Sequence, residues 1–308
     1  MRKCRCCILV LLVFFVQVII SGNAVAQVQK RSYSIPFQLT DHNNIAILAL
    51  LNNRDTVALM FHTAADDVTL TEDATGKISS VHFNGKADSV QSWGGGDNSS
   101  RFSHGNSLLM GQLQLNNITI WEDKNSGQYT DGKVGMNFFK NKVIEIDFDK
   151  ETITITDELP AGIETYDKLE LINSNNMMFV NAGCQVGDSL FMHPFLIHTG
   201  YSGAVLLDDD FVNEKQIGTQ VQIIGEKDLT DAYGNIIKTK KAILSGLQIG
   251  NKKIADVPAG FFEGSIGRQK MSIIGGAVLR RFNIIIDAQR TFIYLKPGHF
   301  DNTEFTNS

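Results

Sequence analysis

The sequence has few residues of several types, and each shortage excludes something. Its 308 residues include only 5 prolines and 4 cysteines. Because Cys4, Cys6 and Cys7 lie at the extreme N-terminus, a processed chain would keep only Cys184 and form no internal disulfide. There is no long run of lysine and arginine, which argues against a nucleic-acid partner. No GxGxxG or GK[ST] motif follows the one glycine-rich stretch, which argues against a phosphate-binding loop.

The N-terminus predicts an exported protein. Basic residues precede an apolar run over residues 8–20, and Ala24-Val25-Ala26 follows with small side chains. This order is typical of a secretory signal peptide, here residues 1–26, with cleavage after Ala26. The apolar run is short for a transmembrane helix. We therefore expect a secreted or periplasmic protein without stable membrane insertion after cleavage, and an uncleaved anchor is the alternative.

The remaining chain predicts an all-β protein. Short apolar or alternating stretches are separated by clusters of Asn, Asp and Gly, as in domains built from hairpins. Helical periodicity is weak, and only short helices are expected, over residues 137–140 and 208–214. The expected strands include residues 45–51, 57–61, 78–83 and 190–197.

Four landmarks occur twice in the same order, 134 to 140 positions apart, which predicts a duplicated β lobe. They are His62-Thr63-Ala64 with His198-Thr199-Gly200, Leu113-Gln114-Leu115 with Leu247-Gln248-Ile249, Val134-Gly135 with Ile274-Gly275, and residues 143–148 with 283–288. A small residue after an apolar strand marks a tight turn or a close backbone approach. We expect lobes over residues 27–158 and 159–308, related by a pseudo-twofold axis, with the two His-Thr turns facing each other.

These landmarks resemble those of the bilobal aspartic peptidases of the pepsin and retropepsin type, and most closely the bacterial secreted versions. In that family each lobe has an apolar strand ending in Asp-Thr-Gly. A later apolar-apolar-Gly segment packs against that turn, and a strand pair closes the lobe. Residues 131–139 and 273–297 carry the closest match. The resemblance covers nearly the whole mature chain. It implies two pepsin-like β lobes with a cleft that binds an extended polypeptide or peptide ligand.

The chain departs from the family at its two catalytic positions, where His62 and His198 replace aspartates. In the family the two carboxylates share one proton, and they act as base and acid. Two imidazoles cannot reproduce this arrangement, because they repel each other when protonated. We therefore expect a pseudopeptidase that binds polypeptide without two-aspartate proteolysis. The alternative is an active peptidase or hydrolase that uses the His62/His198 pair, with or without a metal.

The resemblance also assigns the candidate substrate-binding residues. It implies that the threonines of the two turns hydrogen-bond across the lobe interface. A glycine-rich stretch thirty residues after the first turn corresponds to the flap that closes over bound peptide, and an ordinary flexible loop is the alternative. The candidates are Thr63, Ala64, Thr199, Gly200, Trp93, Gly94 and Gly95.

No cofactor or metal is expected. A zinc or copper site on the histidine pair would need further ligands, and the candidates His82, His104 and His193 have no spacing that places them there. A third class of function is a structural envelope protein whose cleft is closed.

Two nucleophiles stay open as alternatives. Ser202 follows His198 in a stretch that nearly spells G-x-S-x-G, although duplication explains that stretch better. Cys184 could be a catalytic thiol, with a buried bystander as the main alternative.

Overall fold

The computed structural model describes residues 32–90, 98–262 and 269–305. The predicted signal peptide and the candidate flap residues Trp93, Gly94 and Gly95 lie outside these ranges. Among the described residues, no helix is both long enough and apolar enough to cross a membrane.

The first lobe is built almost entirely from strands. They are β1 (Tyr33–Pro36), β2 (Gln38–Leu39), β3 (Ile45–Leu51), β4 (Asp55–Phe61), β5 (Val68–Thr71), β6 (Gly85–Val90), β7 (Asn98–Met110), β8 (Leu113–Asp123), β9 (Gly132–Val134), β10 (Val143–Asp147) and β11 (Thr152–Thr156). Helix α1 (Glu72–Thr75) and a 3-10 helix (Met136–Phe139) interrupt them.

The second lobe repeats this plan after a connection that contains a 3-10 helix (Ile163–Thr165). Its strands are β12 (Asp167–Ser174), β13 (Met177–Val186), β14 (Ser189–Ile197), β15 (Val205–Leu206), β16 (Ile223–Thr230), β17 (Ile236–Ile249), β18 (Lys252–Phe261), β19 (Ser272–Ile274), β20 (Phe282–Ile286) and β21 (Phe292–Pro297). Its helices are α2 (Asp209–Glu214), α3 (Ile217–Gln220) and α4 (Gly276–Leu279).

The sheets confirm the predicted all-β, two-lobed architecture. Strands of lobe one form an eight-stranded sheet in the order β2-β3-β4-β9-β5-β8-β7-β6. In each lobe the strand before the His-Thr turn pairs in parallel with a short later strand, β4 with β9 and β14 with β19. A second parallel pair also recurs, β5 with β8 and β15 with β18.

Strands of both lobes join in one continuous sheet. The run β1-β11-β10-β20-β21-β12 forms part of a 13-stranded sheet, and β10 pairs antiparallel with β20. Glu145 faces Ile285, and the neighbouring pairs are symmetric about them, so the pseudo-twofold axis passes through this pair. Arg290 adds a tie between the lobes, because its guanidinium donates hydrogen bonds to the carbonyls of Phe139 (2.6 Å) and Lys142 (2.8 Å).

The apolar pattern explains which faces are buried. In β3 the residues Ile45, Ile47, Ala49 and Leu51 alternate with less buried ones, as expected for a strand with one face on a core. In contrast, every residue of β20 is buried, because this strand lies in the middle of the joined sheet. Each fully buried large aliphatic side chain contributes about 1.5–3 kcal/mol to folding.

Both predicted short helices are confirmed. Residues 136–139 form the 3-10 helix, and α2 starts after Asp208, whose carboxylate caps it by accepting the N–H of Phe211 at 2.8 Å. The strand predicted over residues 78–83 is wrong, because this stretch is a loop. The N–H groups of Ser79 and Ser80 donate to the carboxylate of Asp55 at 3.1 and 2.8 Å, which replaces a strand partner.

One predicted repeat landmark is out of register. Leu113-Gln114-Leu115 opens β8, whereas Leu247-Gln248-Ile249 closes β17, so the two are not equivalent. The true counterpart of residues 247–249 is Leu108-Leu109-Met110, at the end of β7. Both segments pair with the long strand that precedes the His-Thr strand, and both are followed by a glycine with positive φ.

Candidate functional site

His62 and His198 lie directly after β4 and β14, one from each lobe. Each backbone is held by the parallel neighbour: His62 N–H donates to the Val134 carbonyl and His198 N–H to the Ile274 carbonyl, both at 3.0 Å. The two imidazole centroids are 4.6 Å apart, with an angle of 59° between the ring planes. The duplication therefore brings the two rings into contact at the lobe interface.

The adjacent threonines form a reciprocal set of hydrogen bonds. The Thr63 hydroxyl donates to the Ile197 carbonyl, and the Thr199 hydroxyl donates to the Phe61 carbonyl, both at 2.6 Å. Each hydroxyl also accepts the other threonine's N–H, at 3.0 and 3.1 Å. Since Thr63 and Thr199 are only 1% and 2% exposed, these bonds are shielded from water and hold the two turns in register.

Two asparagines before β3 reinforce this connection. Asn44 Nδ2 donates to the Thr199 carbonyl, and Asn43 Nδ2 donates to the Ser202 carbonyl, both at 3.0 Å. Asn43 has a positive φ, a conformation that asparagine tolerates better than most residues. Neither residue was predicted from the sequence. The adjacent pair Asn43-Asn44 before a buried strand was the available signal, but it does not reveal a partner in the other lobe.

The two turns differ at the residue after the threonine. The Ala64 N–H donates to His62 Nδ1 at 3.1 Å, so the proton of a neutral His62 ring lies on Nε2. The His62 ring lies against Gly200, where an added Cβ would come within 2.3 Å of Cδ2 and Nε2. Ala64 places a methyl group at the matching position in lobe one. In the described chain, His198 Nδ1 is buried without a hydrogen-bond partner. The pair is therefore asymmetric.

The environment keeps both rings neutral at pH 7. Burial lowers the pKa of His62 well below its usual value, and the charges of His198 and Lys133 lower it further. Burial, with the Lys133 charge adding to it, lowers the pKa of His198 to about 4. Lys133 lies on β9 in a partly buried ion pair with Asp123, with 2.6 Å between Nζ and Oδ2. A lysine inside the apolar-apolar-Gly segment was the sequence signal for this pair, and it was missed.

Neither alternative nucleophile is placed to react. Cys184 is buried in the core, and burial raises the pKa of its thiol to about 12, so the thiolate is not formed at neutral pH. Among the described residues, no hydrogen bond joins Ser202 to His198, and the Ser202 carbonyl is bound by Asn43. The near G-x-S-x-G motif is thus part of the duplicated turn.

The candidate metal ligands do not gather around the pair. In the described residues, no group of three or more His, Cys, Asp or Glu side chains could hold a metal ion. His82 and His104 are exposed, and His104 Nδ1 lies 2.8 Å from the Thr119 hydroxyl. His193 Nε2 lies 2.8 Å from a carboxylate oxygen of Asp208, the α2 cap.

No protein-family model matches the sequence, and a search of curated proteins finds no match. Among solved structures, the chain is similar to the crystal structure of an aspartic proteinase from Irpex lacteus, with a TM-score of 0.60. The alignment covers 89% of this chain and 99% of that chain at 13% sequence identity. The chain therefore has the fold of a pepsin-like aspartic proteinase.

The threonine network generates a stability prediction. Thr63→Val or Thr199→Val removes a hydroxyl and leaves a buried carbonyl and N–H without their partner, which should cost about 1–3 kcal/mol for each group. The serine variants keep the hydroxyl and should lose less. Guanidinium unfolding of both pairs of variants measures the difference. Valine variants as stable as the serine variants would contradict the proposed role of the hydroxyls.

The lowered pKa values generate a pH prediction. The unfolded chain takes up protons on its histidines near pH 6.5, whereas folded His198 resists protonation down to about pH 4. The contribution of His198 to the free energy of unfolding is therefore fully present above pH 6.5. It is lost as the pH falls toward 4, and the loss for His198 alone is roughly 3 kcal/mol. Unfolding measured between pH 7 and 4 should show a smaller fall in His198→Asn. His82→Asn, which changes an exposed imidazole, is the matched control. An unchanged slope in His198→Asn would contradict the buried neutral ring.

Proposed function

We propose that this chain is an exported, peptidase-like protein that binds an extended polypeptide between its lobes and does not cleave it by the two-carboxylate route. The observation that carries the proposal is the pair of neutral imidazoles at the point where the two His-Thr turns meet, with His62 buried and His198 half-buried. We assign these positions to the two catalytic aspartates of the family. The signal-like N-terminus supports export.

The chemistry of the pair supports the loss of proteolysis. An aspartic peptidase needs one group that accepts a proton from water and one that donates a proton to the scissile carbonyl. The Nδ1 lone pair of His62 already accepts the Ala64 N–H, so this ring has no free base. His198 Nδ1 could accept a proton, but the low pKa of the ring makes it a weak base. Asp123, which is paired with Lys133, does not supply the missing acid.

The fold supports polypeptide binding. Proteins of this fold bind an extended chain mainly through backbone hydrogen bonds, and side-chain pockets add specificity. We assign the β6–β7 hairpin of lobe one to the family's flap, because the candidate flap residues Trp93, Gly94 and Gly95 lie between these two strands in the sequence. The threonine network holds the floor of this cleft whether or not acids are present.

The absence of two-aspartate proteolysis can be tested directly. We expect no cleavage when the mature protein is incubated with denatured casein between pH 3 and 8, because neither ring combines a free base with a partner acid. Peptide release is followed by mass spectrometry, with pepsin as the positive control. Cleavage that disappears in His62→Ala or His198→Ala would overturn the proposal. Metal analysis and a chelator would then separate the metal-assisted alternative from the metal-free one.

Polypeptide binding is tested separately. We expect peptides from a casein digest to bind saturably in calorimetry, with an affinity that changes little between pH 6 and 8 because both rings stay neutral in this range. A protein of similar charge and unrelated fold is the control for nonspecific binding. If no peptide binds to the wild type or to Leu229→Ala, a change meant to loosen the β16–β17 hairpin, the chain is not a polypeptide-binding protein.

A further inference from the structure

The β16–β17 hairpin of lobe two reaches across to lobe one. Residues 231–235 form its turn, and the carbonyl of Ala232 accepts the backbone N–H groups of Lys124 and Asn125, both at 2.9 Å. Asn125 Nδ2 also donates to the Asp231 carbonyl at 3.2 Å. Lys124 and Asn125 directly follow β8 of lobe one. Backbone groups of one lobe are thus hydrogen-bonded to backbone groups of the other.

The turn is built to keep this shape. The buried carboxylate of Asp231 accepts the N–H groups of Tyr233 and Asn235, both at 2.9 Å, and the Asn235 amide at 3.0 Å. The Asp231 N–H in turn donates to the Asn235 carbonyl at 3.0 Å. A side chain that satisfies its own turn in this way fixes the loop before it meets lobe one.

The hairpin has an inner and an outer face. Leu229 and Ile237 are opposite each other, half-buried, and pack against the cluster of Leu196, Leu206, Phe262 and Ile273. Ala64 and Tyr201, which belong to the two His-Thr turns, pack against the same cluster. The next pair, Thr230 and Ile236, is on the outer face, and Ile236 is 64% exposed. The inner face of the hairpin and both turns therefore pack against one apolar cluster.

Its tip also lies close enough to the Asp123–Lys133 ion pair for the charge of Asp123 to act on Tyr233. Burial raises the pKa of Tyr233 to about 12, and the carboxylates of Asp123 and Asp231 add to the rise, while the nearby Ser100 hydroxyl opposes it. Asp123 belongs to lobe one and is the partner of Lys133, whose charge acts on His62 and His198. The Tyr233 phenol thus lies close to Ser100 and Asp123 of lobe one.

We propose that this hairpin, which we call the strap, is a built-in occupant of the cleft that a polypeptide ligand must displace. Only the identity of the ligand rests on the function proposed above. The contacts of the strap indicate the preferred ligand, an extended segment that offers a backbone carbonyl to the N–H groups of residues 124 and 125 and an aromatic side chain next to Asp123. The strap keeps water and other chains away from the histidine pair until such a segment binds.

Hydrogen exchange of the full mature protein tests the strap without any ligand. The amides of Lys124 and Asn125 should be protected in the wild type, and Leu229→Ala or Tyr233→Ala should lower their protection at least about tenfold by favouring local opening. Ile236→Ala, on the outer face of the same hairpin, is the matched control and should leave it unchanged. Circular dichroism checks that each variant is folded.

Modification of the histidines by diethyl pyrocarbonate gives a second readout. The reagent attacks neutral imidazole, so His62 and His198 should react slowly in the wild type and several-fold faster in Leu229→Ala and Tyr233→Ala, with exposed His82 as the internal reference. Wild-type amides at residues 124 and 125 that exchange at the unprotected rate would overturn the proposal. Equal histidine reactivity in Tyr233→Ala and Ile236→Ala would also overturn it.

The ligand preference is tested with two synthetic peptides. One has the strap sequence of residues 228–238, and the other carries alanine at the position of Tyr233. The peptide with the strap sequence should bind Leu229→Ala more tightly than it binds the wild type. The peptide with alanine should bind both proteins more weakly than the strap peptide binds Leu229→Ala. Equal binding of the two peptides would overturn the aromatic preference. If neither peptide binds but exchange still reports the strap, the proposed polypeptide binding fails and the closed cleft stands.

Discussion

The reciprocal hydrogen bonds of Thr63 and Thr199 are the constraint on which the rest of the site depends. Each hydroxyl donates to a carbonyl of the other lobe and accepts an N–H from it, so neither turn can move alone without leaving buried polar groups unpaired. These hydrogen bonds join backbone groups and the two threonine hydroxyls, and none of them involves the side chains of His62 or His198. The fold can therefore keep its geometry when the chemistry at positions 62 and 198 changes.

Neutrality explains how two histidines fit at this point. Two carboxylates so close together must share a proton, and two imidazolium ions would repel each other in a site shielded from water. The pair stays neutral because burial and the nearby Lys133 oppose protonation of both rings. Gly200 gives space for the His62 ring, and the Ala64 N–H fixes its tautomer. The two rings therefore form a packed contact between the lobes, and both are weak bases.

The sequence predicted the features that repeat and missed those that do not. The His-Thr turns, the apolar-apolar-Gly strands and the closing strand pairs all recur in order, so their partners could be read from the duplication. The Leu-rich landmark was out of register because two neighbouring hairpin strands, β7 and β8, carry similar apolar triplets. Residues 78–83 look like a strand in isolation, and only the distant carboxylate of Asp55 reveals a loop.

The strap could not have been predicted, because alternation along β16 and β17 tells which face is buried but not what covers it. The corresponding hairpin of lobe one is β6–β7. In lobe two, Asp231 folds the turn into a shape that fits the backbone after β8. The duplication gives each lobe such a hairpin, and the hairpin of lobe two reaches across to bind the backbone of lobe one.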